Sequence, residues 1–288
     1  MKNSHSSSLH TLGRKARSSV EDARERIAKC IGAKDKDEII FTSSGSEANN
    51  LAVNIAKNIY TSNIEHHSML NAVRPPQQCL QADKQGLITT SIVSRFINEK
   101  AVNKPQAISV MAVNNEVGTI QNIKEISEIC HNNDIIFHTD AVQAIGHIPV
   151  DVANDNIDML SLSAHKFHGP KGVGVLYAKK GILLTNIIEG GAQERGKRAG
   201  TENIAGIMGM TVALEDAVKN LENYTSKLLP LRDKLIEGLD KISYSELNGD
   251  KEARVPGTVN FCFEGIEGES LLLLLDAKGI AARIKELI

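Results

Sequence analysis

The sequence is poor in aromatic residues, has no excess of charge of either sign and contains no long apolar run. Aromatic residues make up 3% of the 288 residues and tryptophan is absent, which argues against a surface that stacks on nucleic-acid bases. Lys and Arg number 33 against 35 Asp and Glu, so the net charge of −2 gives no electrostatic basis for binding nucleic acid or an anionic membrane. The longest apolar run, Leu271–Leu275, is far shorter than the roughly 18 residues that a transmembrane helix needs.

Cysteine is also scarce. The four cysteines, Cys30, Cys79, Cys130 and Cys262, are widely spaced and form no CxxC pair. This usage is typical of a reducing compartment and argues against a disulfide framework or a zinc ribbon. The histidines lack an HExxH or comparable spacing, so we expect no metal site. The basic, Ser-rich start loosely resembles an organelle transit peptide, but an amphipathic helix pattern continues it over Val20–Ile31, and we predict a cytoplasmic protein.

Apolar β-type segments alternate with helical patterns over most of the chain. Strands are predicted at Glu38–Thr42, Ala107–Val113, Ile135–Thr139, Ile157–Ser163 and Gly174–Ala178. Helices are predicted at Val20–Ile31, Ser46–Tyr60 and Lys124–Asn132. Because strand–helix–strand alternation is typical of parallel sheets covered by helices, the sequence predicts an α/β architecture.

The pattern changes towards the end of the sequence. From Ile204 to Asp240 it is long and helical, with a break expected at Pro230. A short strand, Thr258–Phe263, and a helix, Gly268–Lys278, follow. We therefore predict a boundary near residue 222, between a large domain over 1–222 and a small α+β domain over 223–288.

Several polar residues come directly after predicted strands, where ligands bind in open α/β sheets. Asn115 and Asp140 occupy such positions, and a carboxylate there can bind a cofactor, although these residues also commonly cap the next helix. The segment Ser43–Ser46 precedes a helix, where it can hold an anion or act as a simple serine N-cap. Lys166 follows an apolar strand and precedes a Gly-Pro-Lys-Gly turn, a setting that favours a desolvated amine nucleophile over a solvated surface charge.

Seven segments, taken in order, resemble the cysteine desulfurases, which are pyridoxal 5'-phosphate (PLP) enzymes of the class V aminotransferase type. The segments are SSSLHTLGR (6–14), FTSSGSEANNLA (41–52), IEHHSMLNAV (64–73), MAVNNEVGTIQ (111–121), HTDAVQAIG (138–146), SLSAHKFHGPKGVG (161–174) and GGAQERGKRAGTEN (190–203). The resemblance implies PLP fold-type I, with a mostly parallel, seven-stranded-type sheet between helices and a partial small α+β domain.

The resemblance also implies roles for individual residues. Lys166 would form a Schiff base with the PLP aldehyde, and Asp140 would pair with the pyridine nitrogen and keep it protonated. His66 would stack on the ring and shuttle protons. Gln143 and Asn115 would contact the ring hydroxyl. The phosphate would be held by Gly45, Ser46, Ser163 and His165, and by Thr201 of a neighbouring subunit.

The implied reaction removes sulfur from L-cysteine, giving L-alanine and an enzyme persulfide for iron–sulfur cluster or thio-cofactor synthesis. A homodimer and a sulfur-acceptor or iron–sulfur scaffold protein are the expected partners, with no nucleic acid and no membrane. Compared with the family, the chain is expected to be truncated at both ends. The family's catalytic Cys loop and substrate-carboxylate Arg would lie beyond the tail Arg283–Ile288, and none of the four cysteines is expected to replace that nucleophile. Two alternatives stay open: an inactive truncated homologue, or another class V PLP aminotransferase or lyase.

Overall fold

The computed structural model describes residues 10–73 and 79–284. Two parts of the sequence discussed above, residues 6–9 of the first family-like segment and residues 285–288 of the tail, lie outside these ranges. Within them, a central sheet with helices on both faces is followed by a smaller α+β unit. The predicted division at residue 222 falls in the first turn of a helix and stays a prediction.

The central sheet has six strands in the described part of the chain, in the order β1-β6-β5-β4-β3-β2. They are β1 (Ile39–Thr42), β2 (Ile59–Thr61), β3 (Ala107–Ser109), β4 (Ile136–Asp140), β5 (Met159–Ser163) and β6 (Gly174–Ala178). Neighbouring strands from β2 to β5 are parallel, whereas β6 is antiparallel to β5 and β1. The mostly parallel α/β sheet is thereby confirmed. The described ranges contain no seventh strand of this sheet, and directly after β2 an isolated parallel bridge joins Ser62 to Leu80.

The helices are α1 (Thr11–Cys30), α2 (Gly45–Val53), α3 (His67–Leu70), α4 (Thr90–Glu99), α5 (Ile123–His131), α6 (Ile204–Lys219), α7 (Leu221–Leu239) and α8 (Gly268–Asp276). Two short strands, β7 (Ser245–Leu247) and β8 (Phe261–Phe263), form an antiparallel pair in the smaller unit. Over residues 10–73 and 79–284, every helix is too short or too polar to span a bilayer.

The strands are buried because apolar layers cover both faces of the sheet. On one face, Phe137, Leu160 and Leu214 share a large apolar cluster that includes α1 and α6. On the other face, Leu51 of α2 packs with Met159 in a second cluster. Strand residues alternate between the two faces, so the last residues of β4 and β5 point to the side covered by α2.

Two predicted helix boundaries are wrong. The predicted helix Ser46–Tyr60 ends at Val53, and Ile59 and Tyr60 are buried strand residues that pair with β3. Their spacing continues the helical period by chance, and strand pairing overrides it. The second helical region breaks at Asn220, between α6 and α7, while Pro230 lies inside α7.

A buried ion pair connects α1 with the segment that precedes α6. Arg24 and Glu194 are 3% and 5% exposed, and the guanidinium donates to the two carboxylate oxygens at 2.8 and 2.9 Å. Arg24 also donates to the carbonyl of Ile39 at 2.5 Å, and its guanidinium lies over the ring of Phe41. The backbone N–H of Phe41 donates to Glu194 at 3.0 Å. Both charges are therefore fully paired although both are buried.

Arg24→Ala is expected to lower the free energy of unfolding by about 3–5 kcal/mol, because it leaves the Glu194 carboxylate buried without its cation. Urea denaturation followed by circular dichroism measures this change. The control is Arg26→Ala on the same helix, whose pair with Glu215 is partly exposed and should contribute about 1 kcal/mol or less. Equal losses in the two variants would contradict the prediction.

Candidate functional site

A large cleft of about 1740 Å³ opens where the parallel strands end. Nine of the ten predicted site residues line it: Gly45, Ser46, His66, Asn115, Asp140, Gln143, Ser163, His165 and Lys166. The tenth, Thr201, is exposed and lies outside the lining. Apolar side chains of α7, β8 and α8 form the opposite wall. The fold therefore brings most of the predicted site together, while the role of each residue stays a prediction.

Asp140 supplies a buried negative charge to the cleft. It is the last residue of β4 and is 4% exposed. Its Oδ2 accepts a hydrogen bond from Asn49 Nδ2 at 2.7 Å, and its Oδ1 accepts one from the N–H of Val142 at 2.9 Å. Burial raises the pKa of Asp140, whereas these two hydrogen bonds and the charges of His66 and Lys166 act to lower it. A cationic ligand group is well suited to such a carboxylate.

The N-terminus of α2 supplies the opposite polarity. Ser44 caps this helix by accepting the N–H of Glu47 at 3.1 Å, and the first-turn N–H groups of Gly45 and Ser46 have no carbonyl partner within the helix. A Cβ at Gly45 would lie 2.7 Å from Val142 Cγ2, so glycine permits the close approach of α2 to the turn after β4. The helix dipole and the free N–H groups together favour an anion.

Lys166 lies just beyond the end of β5, in a short 3-10 turn over Ala164–Phe167. Its side chain is half-buried. Beside it, a hydrogen bond of 2.9 Å joins Ser163 Oγ to His165 Nδ1. Burial lowers the pKa of His165, and the positive charges of Lys166 and Lys171 lower it further. The end of β5 therefore offers an amine, a hydroxyl and a neutral imidazole to the same cleft.

His66 caps α3 at another side of the cleft. Its Nδ1 accepts the N–H of Ser68 at 3.1 Å and lies 2.8 Å from Ser68 Oγ. That hydroxyl also accepts a hydrogen bond from Asn49 Nδ2 at 2.9 Å. Sequence reasoning missed Asn49 and Ser68. A signal existed for Asn49, which follows Gly45 by four residues and so faces the same side of α2.

Glu65, which directly precedes His66, is another buried carboxyl group, and the sequence did not reveal it. It is 5% exposed, and its Oε1 accepts hydrogen bonds from Ser62 Oγ at 2.6 Å and from the N–H of Met111 at 2.7 Å. Its Oε2 is buried without a partner among the residues that the structure describes. Burial raises the pKa of Glu65 to about 8, and the charge of Asp140 adds to this effect. The group is therefore mostly uncharged at pH 7.

Three of the four cysteines lie in α1, α5 or the cleft, and Cys79 is partly exposed outside the cleft lining. Cys30 lies in α1 and Cys130 in α5, and burial raises their pKa values to about 11 and about 12. Cys262 is exposed on β8 and lines the cleft. In residues 10–73 and 79–284, no group of three or more His, Cys, Asp or Glu side chains has a geometry that could hold a metal ion.

Comparisons with known proteins agree on one group of enzymes. The profile of the family described as "Aminotransferase class-V" matches residues 1–284. The cysteine desulfurase IscS of Clostridium botulinum is 47% identical over 291 residues, which cover 95% of this chain and 72% of the relative. The cysteine desulfurase NifS of Azotobacter vinelandii is 40% identical over 290 residues, which cover 96% of this chain and 71% of the relative.

Solved structures show the same similarity. A NifS-like protein superimposes with a TM-score of 0.91 at 35% identity, covering 97% of this chain and 80% of that one. The NifS-like protein from Rickettsia africae has a TM-score of 0.92 at 29% identity, covering 99% of this chain and 81% of that one.

Glu65→Gln is expected to flatten the pH dependence of stability. The pKa of Glu65 is about 8 in the folded protein against an ordinary value of 4.5. Between these pH values the folded state holds the extra proton, so the contribution of Glu65 to stability falls as pH rises, by at most about 1.4 kcal/mol per pH unit. Glutamine mimics the protonated group and removes this slope, so above pH 8 the variant should be the more stable protein.

Urea denaturation between pH 5 and pH 9, at about one-unit intervals, tests this expectation. Glu128→Gln, an exposed substitution on α5, is the control and should keep the slope of the unmodified protein. If Glu65→Gln and Glu128→Gln had the same pH dependence, Glu65 would be ionised in the folded state and the prediction would be wrong.

Proposed function

Because the chain belongs to the class V aminotransferase family, we propose that it is a PLP-dependent cysteine desulfurase. The reaction takes sulfur from L-cysteine, leaves L-alanine and places the sulfur on a thiol as a persulfide for iron–sulfur cluster or thio-cofactor synthesis. One observation carries the proposal: the buried carboxylate of Asp140, the amine of Lys166 and the N-terminus of α2 line a single cleft.

The chemistry of these three groups fits PLP. A protonated ring nitrogen requires a carboxylate, which Asp140 supplies in a buried position. An aldehyde requires an amine, and a phosphate requires N–H groups and hydroxyls, which Lys166, Gly45 and Ser46 supply. When bound, PLP provides an electron sink for the electron pair released as a bond of the substrate amino acid breaks.

We assign Lys166 to covalent attachment of the cofactor and Asp140 to its ring nitrogen. Gln143 and Asn115 bind the ring hydroxyl in this proposal. The phosphate is bound by the remaining polar residues near the ends of β1 and β5, namely Gly45, Ser46, Ser163 and His165. The close approach of Gly45 to Ser163, with 3.4 Å from a Cβ at Gly45 to Ser163 Cβ, supports one shared anion site.

His66 is the proposed proton carrier and ring-stacking residue. Because its Nδ1 accepts the N–H of Ser68, the neutral imidazole carries its proton on Nε2. Nε2 is therefore the nitrogen that can donate a proton to the substrate. Thr201 is assigned to the phosphate of a second subunit, a role that its exposed position outside this chain's own cleft supports. The proposed protein partners are accordingly a second copy of the chain and a sulfur-accepting protein.

Lys166→Ala is expected to abolish covalent attachment of PLP because no other amine is assigned to that bond. The protein is incubated with PLP, reduced with borohydride and digested, and the modified peptide is identified by mass spectrometry. Lys171→Ala, an exposed change five residues away, is the control and should leave the attachment intact. Modification of the Lys166→Ala protein at the same level would refute the assignment.

With a small-molecule thiol added to accept the sulfur, Asp140→Asn is expected to reduce alanine release from L-cysteine by about tenfold to a hundredfold, the worth of a hydrogen bond to a charged group. The absorption spectrum of bound PLP should also shift, because the ring nitrogen loses its anionic partner. Asp134→Asn, whose side chain is 96% exposed, is the matched control. Release of alanine by the unmodified protein from other amino acids instead of L-cysteine would favour a different class V activity.

A further inference from the structure

A continuous chain of hydrogen bonds crosses the cleft from Asp140 to His66. Asn49 Nδ2 donates to Asp140 Oδ2 at 2.7 Å and to Ser68 Oγ at 2.9 Å. Ser68 Oγ lies 2.8 Å from His66 Nδ1, which also accepts the Ser68 N–H at 3.1 Å. One amide group of α2 therefore connects the end of β4 with the first turn of α3.

The direction of each hydrogen bond in this chain is determined by chemistry. The amide nitrogen of Asn49 is only a donor, so both of its hydrogens are used, one on Asp140 and one on the Ser68 hydroxyl. His66 Nδ1 accepts the N–H of Ser68 and therefore carries no hydrogen, so the Ser68 hydroxyl, which accepts from Asn49, donates its own hydrogen to Nδ1. Turning the Asn49 amide over would place its oxygen against the Asp140 carboxylate, which repels it.

Burial makes this arrangement specific. Asn49 is 1% exposed, and its Oδ1 is buried without a partner in the part of the chain that the structure describes. Burying an amide oxygen without a hydrogen bond is unfavourable. The two hydrogen bonds that the Asn49 nitrogen donates offset this loss. Asn49 lies on α2 one helical turn after Gly45, and this position directs its side chain between the end of β4 and the first turn of α3.

We propose that Asn49 is a positioning residue that orients the carboxylate of Asp140 and, through Ser68, the imidazole of His66. The proposal rests on the proposed function, in which these two groups contact the cofactor. Asn49 itself acts only through them. Together with the N–H of Val142 it fixes the orientation of the Asp140 carboxylate, and through Ser68 it holds His66 with Nδ1 as the acceptor.

A double-mutant cycle on PLP affinity tests the link to Asp140. The dissociation constant of PLP is measured by titrating cofactor-free protein and following PLP absorbance. Asn49→Ala should weaken binding about tenfold in the unmodified protein but only about twofold to threefold in Asp140→Asn, because the carboxylate it orients has lost its charge and only the link through Ser68 to His66 remains. Independent tenfold losses that multiply in the double variant would indicate general damage to the fold and overturn the proposal.

Asn54→Ala is the matched control. This exposed asparagine directly follows the last residue of α2, outside the cleft lining, so its substitution should leave PLP affinity unchanged. If Asn49→Ala does not fold, Ser68→Ala replaces it and should weaken PLP binding in the Asp140→Asn background as strongly as in the unmodified protein, because it breaks the chain on the His66 side. If Ser68→Ala bound PLP as tightly as the unmodified protein, the proposed link from Asn49 through Ser68 to His66 would be wrong.

A second measurement needs no cofactor and separates failure of this proposal from failure of the proposed function. Histidine side-chain NMR of the cofactor-free protein, assigned with His66→Gln, reports the protonation of each ring nitrogen. We expect Nδ1 of His66 to be unprotonated and its resonance to move in Asn49→Ala and Ser68→Ala but not in Asn54→Ala. A protonated Nδ1, or a His66 resonance that moves in neither Asn49→Ala nor Ser68→Ala, would overturn the positioning role of Asn49 even if PLP binds. The expected pattern would support that role even if PLP does not bind.

Discussion

Asp140 places a carboxylate at the end of a central strand, 4% exposed and flanked by buried strands on either side. A negative charge in that position is costly unless donors and cations surround it. The groups that surround it come from separate parts of the chain: an amide from α2, a backbone N–H from the turn after β4, and the amine of Lys166 beyond β5. Much of the polar lining of the cleft therefore consists of groups that stabilise the buried carboxylate of Asp140.

Ion pairs hold the elements that meet this requirement in place. Arg198 donates to both oxygens of Glu47, and Glu47 in turn accepts from the N–H and hydroxyl of Ser43, directly before α2. A few residues earlier, Glu194 is clamped by Arg24 against the start of β1. The segment before α6 thereby braces the N-terminus of α2 from outside the cleft.

The sequence predicted the parts of this arrangement that follow from local pattern. Buried strands read as apolar runs, and residues such as Lys166 and Asp140 were marked by their positions at or beyond strand ends. The helix end at Val53 could not be predicted, because Ile55 and Ile59 continue the helical spacing and only pairing with β3 makes Ile59 a strand residue. Ser68 and Glu65 escaped for a related reason: their contacts are with α2 and with the segment after β3, which no spacing along one element encodes, whereas the spacing of Asn49 from Gly45 was a signal that was missed.

The uncharged state of Glu65 has a consequence for the charge balance of the cleft. Glu65 and Asp140 are both buried at the same edge of the sheet, and two ionised carboxylates there would give the cavity an excess of negative potential. With Glu65 carrying its proton, the carboxylate of Asp140 has no second charge from Glu65 near it, and Lys166 supplies a positive charge to the same cleft. The positive end of α2 can then attract an anion without a charge on Glu65 to oppose it.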